Sequence, residues 1–120
     1  METARILIVD DNPEIREIIR ILLQGEGYDI EEAKNGTKAL EMLELQMFDL
    51  IILDIMMPGM NGYQTCLEIR KQSNAPILFL SAKGQESDKT LGFSSGGDDY
   101  LVKPFSYNEL VSRAKALIRR

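Results

Sequence analysis

The stretch ILIVDDNP at positions 6–13 decides the fold, because a short apolar run leads directly into two carboxylates and a proline. Two further runs, LIIL at 50–53 and ILFL at 77–80, also lack polar alternation. Such continuous apolar sequence is typical of strands that are covered on both faces in a parallel sheet. Two weaker segments, at 28–31 and 100–102, complete a prediction of five strands.

Helical periodicity fills the segments between the strands. In the first such segment, the i, i+3, i+4 pattern of an amphipathic helix is followed by Ile15, Ile18, Ile19, Leu22 and Leu23. Capping and turn residues, with the same periodicity elsewhere, predict helices over 13–25, 37–46, 62–72, 86–95 and 107–119. Right-handed crossovers would place these helices on both faces of the sheet, so we expect one α/β domain over residues 1–120.

The composition excludes several classes of function. The 120 residues include 14 basic and 19 acidic side chains, no His and one Cys, with a formal net charge of −5. No His-dependent nucleophile, His/Cys zinc site or disulfide framework can be built from these residues. The negative charge argues against a broad nucleic-acid surface. The sequence predicts no membrane span or secretory signal, and the lone thiol of Cys66 suits a cytoplasmic protein.

Polar side chains follow four of the predicted strands directly. Asp10 and Asp11 follow the first strand, Asp54 the third, Ser81 the fourth and Lys103 the fifth. Ligands of open parallel sheets bind beyond the carboxyl ends of the strands, near the point where the strand order reverses. If the order is 2-1-3-4-5, the three carboxylates meet in one pocket, with the hydroxyl and the ammonium on its far side.

These residue types predict phosphoryl chemistry assisted by a metal ion. Three neighbouring carboxylates repel one another, and Mg²⁺ relieves that repulsion while it keeps waters and binds a phosphate. A hydroxyl and an ammonium are suitable donors to a phosphoryl group, and a positioned carboxylate can attack phosphorus to form an acyl phosphate. Each residue also has a structural interpretation; Asp10 and Asp11, for example, could cap the first helix beside Asn12-Pro13.

Four segments, taken together, resemble the receiver domain of bacterial two-component response regulators. They are IVDDNP at 8–13, LDIMMPGMNG at 53–62, LSA at 80–82 and DDYLVKPF at 98–105. The resemblance extends over residues 5–119. It implies a flavodoxin-like, three-layer (βα)5 sandwich with the strand order 2-1-3-4-5.

The resemblance also implies a phosphoacceptor and a metal site. Asp54 is then the residue phosphorylated by a sensor histidine kinase. Mg²⁺ is held by the side chains of Asp11 and Asp54, by Asp10 through a water, and by the backbone carbonyl of Met56.

A switch is the third implication of the resemblance. Ser81 and Lys103 then contact the phosphoryl group, and the Lys103–Pro104 bond is cis. Tyr100 occupies the place of an aromatic ring that swings inward when the hydroxyl moves. Phosphorylation would thereby change the face formed by the fourth helix, the fifth strand and the last helix.

The C-terminal third is most similar to the receivers of winged-helix transcription factors, in which charge pairs hold a symmetric active dimer. The residues implied for such a face form two pairs, Lys89 with Glu109 and Asp99 with Arg113. Two departures weaken this expectation: Ser94-Ser95 where an acidic residue is common, and Gly97 where alanine is common. DNA would be bound only through an output domain that these residues do not include, and whether the receiver stands alone stays open.

Three other functions fit the residues less well. A phosphohydrolase of the haloacid dehalogenase kind needs an acid two residues after its nucleophile, where Met56 stands. A receiver that is not phosphorylated would have lost an acid, the hydroxyl or the lysine. A dinucleotide-binding domain needs a Gly-x-Gly-x-x-Gly turn after the first strand, where Asp10 to Pro13 stand. We therefore expect a phosphoacceptor domain and not an enzyme.

Overall fold

The chain folds as a parallel sheet with helices on both faces. The structure, a computed structural model, describes residues 3–82 and 96–119. Its strands are β1 (Arg5–Val9), β2 (Asp29–Ala33), β3 (Leu50–Asp54), β4 (Ile77–Ala82) and β5 (Asp99–Lys103). The helices in these residues are α1 (Pro13–Gly25), α2 (Gly36–Leu45), α3 (Gly62–Ile69) and α4 (Tyr107–Arg119). The helix predicted over 86–95, together with Lys89 and Ser94-Ser95, lies outside the described residues.

The strand order is β2-β1-β3-β4-β5, and each neighbouring pair is parallel. This confirms the predicted order and fold class. Val9 pairs with Leu53, so the residues that follow β1 lie beside the end of β3. Ala82 pairs with Lys103, which brings the ends of β4 and β5 to the same edge. The register therefore places the carboxyl ends of β1, β3, β4 and β5 together.

Two apolar layers cover the sheet. Successive strand residues point to opposite faces, so Leu7 and Val9 pack with α2 and α3, whereas Ile6 and Ile8 pack with α1 and α4. All five residues of β3 are buried, as expected for a central strand covered on both faces. The continuous apolar runs of the sequence thus reflect real two-sided burial.

Side-chain caps fix where the helices begin. Asn12 caps α1 by accepting the backbone N–H groups of Glu14 and Ile15, and proline occupies the first turn. Asn61 and Gln64 form a reciprocal capping box at the start of α3. These caps position the loops that follow β1 and β3, where the candidate site lies.

Several predicted boundaries are wrong by one to three residues, and the second strand and the third helix differ most. The second strand covers 29–33 instead of 28–31, because its register with β1 starts at Asp29 and continues to Ala33. The third helix ends at Ile69 instead of 72, because the N–H groups of Lys71 and Gln72 bond three residues back and close a turn.

Ile18 belongs to the apolar stripe of α1, but 40% of its surface is exposed. The apolar stripe of α1 is wider than the surface that packs, so Ile19 and Leu23 are buried while Ile18 lines an open groove beside Phe105. None of the helices in the described residues combines the length and apolar content that crossing a bilayer requires.

Candidate functional site

Three carboxylates converge at the ends of β1 and β3. Asp10 and Asp54 are 0% and 4% exposed, whereas Asp11 is exposed. One carboxylate oxygen from each lies within 4.8 Å of the others. The structure therefore brings together the acidic residues that the sequence placed after two separate strands, and it leaves one of them facing solvent.

Asp10 is held in place from two sides. Its Oδ1 accepts the backbone N–H of Asn12 at 2.9 Å, and its carbonyl accepts the Arg16 guanidinium at 2.6 Å. Because Asn12 caps the helix, the capping interpretation of Asp10 is wrong. The Oδ2 of Asp10 is buried and accepts no hydrogen bond from the residues that the structure describes. Such an oxygen fits a cation better than it fits a purely structural role.

Asp54 ends β3 and lies against the start of α3. The backbone N–H of Met56 donates to its carboxylate. The N–H of Gly62 donates to the carbonyl of Ile55 at 2.9 Å, and a Cβ at position 62 would lie 2.5 Å from the carbonyl oxygen of Asp54. Only glycine allows this approach, so the helix start is tightly packed against the backbone of the candidate phosphoacceptor.

Lys103 extends from the end of β5 toward the two buried carboxylates. Its Nζ lies 3.4 Å from Oδ1 of Asp54 and 3.6 Å from Oδ2 of Asp10. The Lys103–Pro104 peptide bond is cis, as the resemblance implied. One ammonium thus faces two buried carboxylates, and both contacts are longer than a close charge-assisted hydrogen bond.

The site holds more negative than positive charge, and its carboxylates are buried; burial is the main cause of their raised pKa values. Burial, followed by the charge of Asp10, raises the pKa of Asp54 to about 6, while Lys103 opposes the shift. Burial also raises the pKa of Asp10. A divalent cation would offset both effects. The donor set, the charge excess and the Asp10 Oδ2, which accepts no hydrogen bond from the described part of the chain, together fit Mg²⁺.

Ser81 and Tyr100 lie on β4 and β5, the strands on the far side of the site. Ser81 is buried, and its hydroxyl donates to the carbonyl of Ala82 at 3.2 Å. Tyr100 is buried as well, and its hydroxyl shares a hydrogen bond with that of Tyr63 on α3. We did not predict a role for Tyr63 from the sequence. Its position in the first turn of α3, between the capping residues Asn61 and Gln64, is the available sequence signal.

The residues implied for a dimer face form contacts within the chain. A guanidinium nitrogen of Arg113 lies 2.9 and 3.0 Å from the two carboxylate oxygens of Asp99. The other terminal nitrogen lies 3.4 Å from Glu109. The hydrogen bond with Asp99 is the main reason that the pKa of Arg113 is raised. Lys89 lies outside the described residues.

The family of the chain follows from comparison with known proteins. The family model described as a response regulator receiver domain matches residues 6–115. The chain therefore belongs to this family, and it is a receiver domain, the phosphoacceptor switch of a two-component system.

Its relatives include transcription regulators. The chain is 48% identical over 117 residues to the transcriptional regulatory protein ResD of Bacillus subtilis and 46% identical over 117 residues to a CpxR homolog of Haemophilus influenzae. These matches cover 98% of the chain but only 49% and 51% of the two relatives. The chain thus spans about half the length of the curated relatives it matches.

Solved structures of receivers are similar over nearly the whole chain. A putative response regulator from Chloroflexus aurantiacus has a TM-score of 0.93 and 38% identity, covering 99% of this chain and 100% of that one. The chemotaxis protein CheY4 of Vibrio cholerae has a TM-score of 0.92 and 34% identity, covering 97% and 99%. The fold of the chain is therefore that of these receivers.

Proposed function

We propose that Asp54 accepts a phosphoryl group from a sensor histidine kinase and that Mg²⁺ is bound beside it. The observation that carries this proposal is the cluster of Asp10, Asp11 and Asp54, whose carboxylate oxygens lie within 4.8 Å of one another. Lys103 adds a cation 3.4 Å from Asp54. This combination supplies a nucleophile, a metal site and a phosphate anchor in one place.

The metal-binding residues in the proposal are Asp11, Asp54 and the carbonyl of Met56, with Asp10 acting through a water. Two observations support this assignment: the Oδ2 of Asp10 accepts no hydrogen bond from residues 3–82 and 96–119, and the pKa of Asp54 is raised. When bound, Mg²⁺ supplies positive charge to the phosphoryl oxygens and to the carboxylates. The exposed side of the cluster at Asp11 offers the ion an open approach.

In the proposed reaction, a carboxylate oxygen of Asp54 attacks phosphorus. The bond between phosphorus and the imidazole nitrogen of the kinase breaks, and its electron pair leaves with that nitrogen, so the product is an acyl phosphate. The ammonium of Lys103 donates to a phosphoryl oxygen. The hydroxyl of Ser81 exchanges its bond to the carbonyl of Ala82 for a second phosphoryl oxygen.

The consequence that we propose is a change of surface and not the turnover of a substrate. Movement of Ser81 is coupled to the ring of Tyr100 and hence to the face that includes β5 and α4. In this proposal, that face controls transcription through a DNA-binding domain of a longer protein. Such a protein would resemble the transcriptional regulatory proteins to which the chain is similar. Residues 1–120 act as one receiver unit in the cytoplasm.

A symmetric dimer of phosphorylated chains is a further part of the proposal. Asp99 and Arg113 already form a close pair within the chain. In a dimer that uses both residues, each must either contact the second chain in addition to its own partner or replace that partner with one from the second chain. Light scattering before and after phosphorylation tests this step. A mass that stays monomeric would contradict it.

Intact-mass spectrometry after incubation with Mg²⁺ and acetyl phosphate tests the proposed chemistry. We expect one phosphoryl group on the wild-type chain and none on Asp54→Asn, because an amide lacks the nucleophilic oxygen. Asp29→Asn is the matched control, since Asp29 is an exposed carboxylate at the start of β2. Equal uptake by the wild-type chain and Asp54→Asn would show that another residue is the nucleophile.

A further inference from the structure

A buried pair of tyrosines joins α3 to β5. Tyr63 is 7% exposed and Tyr100 is 6% exposed, and their hydroxyls share a hydrogen bond. The two residues are 37 positions apart in the sequence, so the contact exists only in the folded chain. Neither the metal site nor the phosphoryl anchors described above use the hydroxyl of Tyr63.

Phe79 completes this arrangement from β4. Its ring centroid lies 5.4 Å from that of Tyr63, edge to face, and 5.3 Å from that of Tyr100, tilted. Such geometries between aromatic rings are favourable beyond the area that they bury. We refer to Tyr63, Phe79 and Tyr100 as the aromatic clamp. Since Phe79 is two residues before Ser81, the clamp and the phosphoryl site share a strand.

Gly97 provides the space that the clamp occupies. A Cβ at position 97 would lie 2.1 Å from Cε2 of Phe79, closer than side-chain contacts allow. The packing of Phe79 therefore explains why this chain has glycine at position 97, where the resemblance led us to expect alanine. The ring of Phe79 fills the volume of the missing methyl group and reaches both tyrosines.

Tyr63 is also connected to Asp54 through the backbone at the start of α3. It follows Gly62, whose N–H donates to the carbonyl of Ile55 and whose Cα packs against the backbone of Asp54. A displacement of the backbone at the phosphoacceptor therefore moves the start of α3. The hydrogen bond between the tyrosines extends that connection to β5.

We propose that Tyr63 is a positioning residue that holds the ring of Tyr100 in its inward orientation. This inference rests on the proposed function, in which the ring of Tyr100 takes part in the switch. A hydrogen bond made only when the ring is inward shifts the equilibrium toward that orientation. By linkage, a ligand that favours the inward ring binds more tightly when Tyr63 is present.

The test is ¹⁹F NMR of the chain labelled with 3-fluorotyrosine, in which Tyr100→Phe assigns one of the four tyrosine signals. For Tyr63→Phe, we expect the ratio of inward to outward Tyr100 ring to fall by about threefold to tenfold, as the loss of one hydrogen bond predicts. The affinity for beryllofluoride with Mg²⁺, a phosphoryl analogue, should fall by up to the same factor.

Tyr107→Phe is the matched control, because Tyr107 is an exposed tyrosine on α4. A double-mutant cycle gives a second readout: in the Tyr100→Phe background, Tyr63→Phe should change the beryllofluoride affinity no further. Gly97→Ala should disturb the Tyr100 signal by displacing Phe79. This variant reaches the clamp without touching either hydroxyl.

Two results would overturn the inference. One is a Tyr63→Phe chain that melts at a lower temperature but keeps the wild-type ring ratio and beryllofluoride affinity, which would make Tyr63 purely structural. The other is an effect of Tyr63→Phe that persists in full in the Tyr100→Phe background. Failure of the wild-type chain to bind beryllofluoride would instead contradict the proposed function, and the ring ratio would still test Tyr63.

Discussion

Two groups of charged side chains at opposite ends of the sheet differ in how well their charges are neutralised and hydrogen-bonded. At the amino-terminal edge, a guanidinium nitrogen of Arg70 lies 3.0 Å from Asp98, whose same oxygen accepts the N–H of Ile77 at 2.9 Å. The other N–H groups of this guanidinium donate to the carbonyls of Ser73, Ala75 and Gly96. At the carboxyl edge, Lys103 faces Asp10 and Asp54 at 3.6 and 3.4 Å.

The two ends of the sheet thus serve different purposes, one stability and the other function. Arg70 and Asp98 form a close ion pair, and the guanidinium and the carboxylate make further hydrogen bonds, so their desolvation is well compensated. Asp10 and Asp54 share one ammonium, and burial raises the pKa of both. A group of buried charges that is incompletely neutralised retains the capacity to bind a cation or a phosphoryl group.

The largest effect on stability is expected for Arg70→Met. This change removes the guanidinium from Asp98 and from three carbonyls, so we expect the free energy of unfolding to fall by about 3 kcal/mol. Urea denaturation measures the change. Lys71→Met is the matched control, since its side chain is 71% exposed in a surface pair with Glu68. A loss no larger than that of the control would mean that the Arg70 pair contributes little.

The next effect is a pH dependence centred on Asp54. Its pKa rises from 3.8 to about 6 on folding, so the folded chain binds this proton more tightly than the unfolded chain does. The resulting stabilisation is present in full below pH 3.8 and is lost as the pH rises through about 6. Without divalent ions, Asp54→Asn should therefore stabilise the chain by on the order of 2 kcal/mol near neutral pH and by little near pH 4.

Urea denaturation at several pH values, in the presence of a chelator, measures this difference. Asp29→Asn should show no such pH-dependent gain, because Asp29 is exposed at the start of β2. An Asp54→Asn chain whose stability parallels that of the wild type from acidic to neutral pH would show that the pKa of Asp54 is not raised on folding.

A smaller effect on stability is expected for Lys103→Met. Its contacts with the carboxylates are long, and Asp54 can respond by taking up a proton, so the cost should be about 1 kcal/mol. The binding of beryllofluoride with Mg²⁺ should nevertheless be strongly weakened. Lys71→Met again serves as the control. A Lys103→Met chain that unfolds as readily as Arg70→Met and still binds the analogue normally would contradict this prediction. Lys103 would then contribute to stability and not to phosphoryl binding.

Much of the fold was predictable because the decisive signals are local. The apolar runs at 6–9, 50–53 and 77–80 mark strands that are buried on both faces, and Asn12 and Asn61 mark helix starts through caps. The positions of the site residues followed from one geometric fact, that the carboxyl ends of parallel strands share an edge. Lys103 could thus be placed near Asp54 from a separation of 49 residues.

Other features depend on tertiary packing that no local pattern records. The contact of Tyr63 with Tyr100 joins residues 37 positions apart, and that of Arg70 with Asp98 joins residues 28 positions apart. The exposure of Ile18 reflects how much of α1 the neighbouring elements cover, which helical periodicity does not specify. Pairing partners and the limits of burial were therefore found only in the structure.

Calorimetric titration with Mg²⁺ tests the acidic cluster most directly. Near pH 7.5 we expect one ion per chain, and near pH 5 an affinity about tenfold lower, because Asp54, with a pKa of about 6, is then mostly protonated. Asp11→Asn should weaken binding at the higher pH, and the exposed Asp29→Asn should not. Affinity that is independent of pH, or equal losses in the two variants, would contradict a metal site built from Asp10, Asp11 and Asp54.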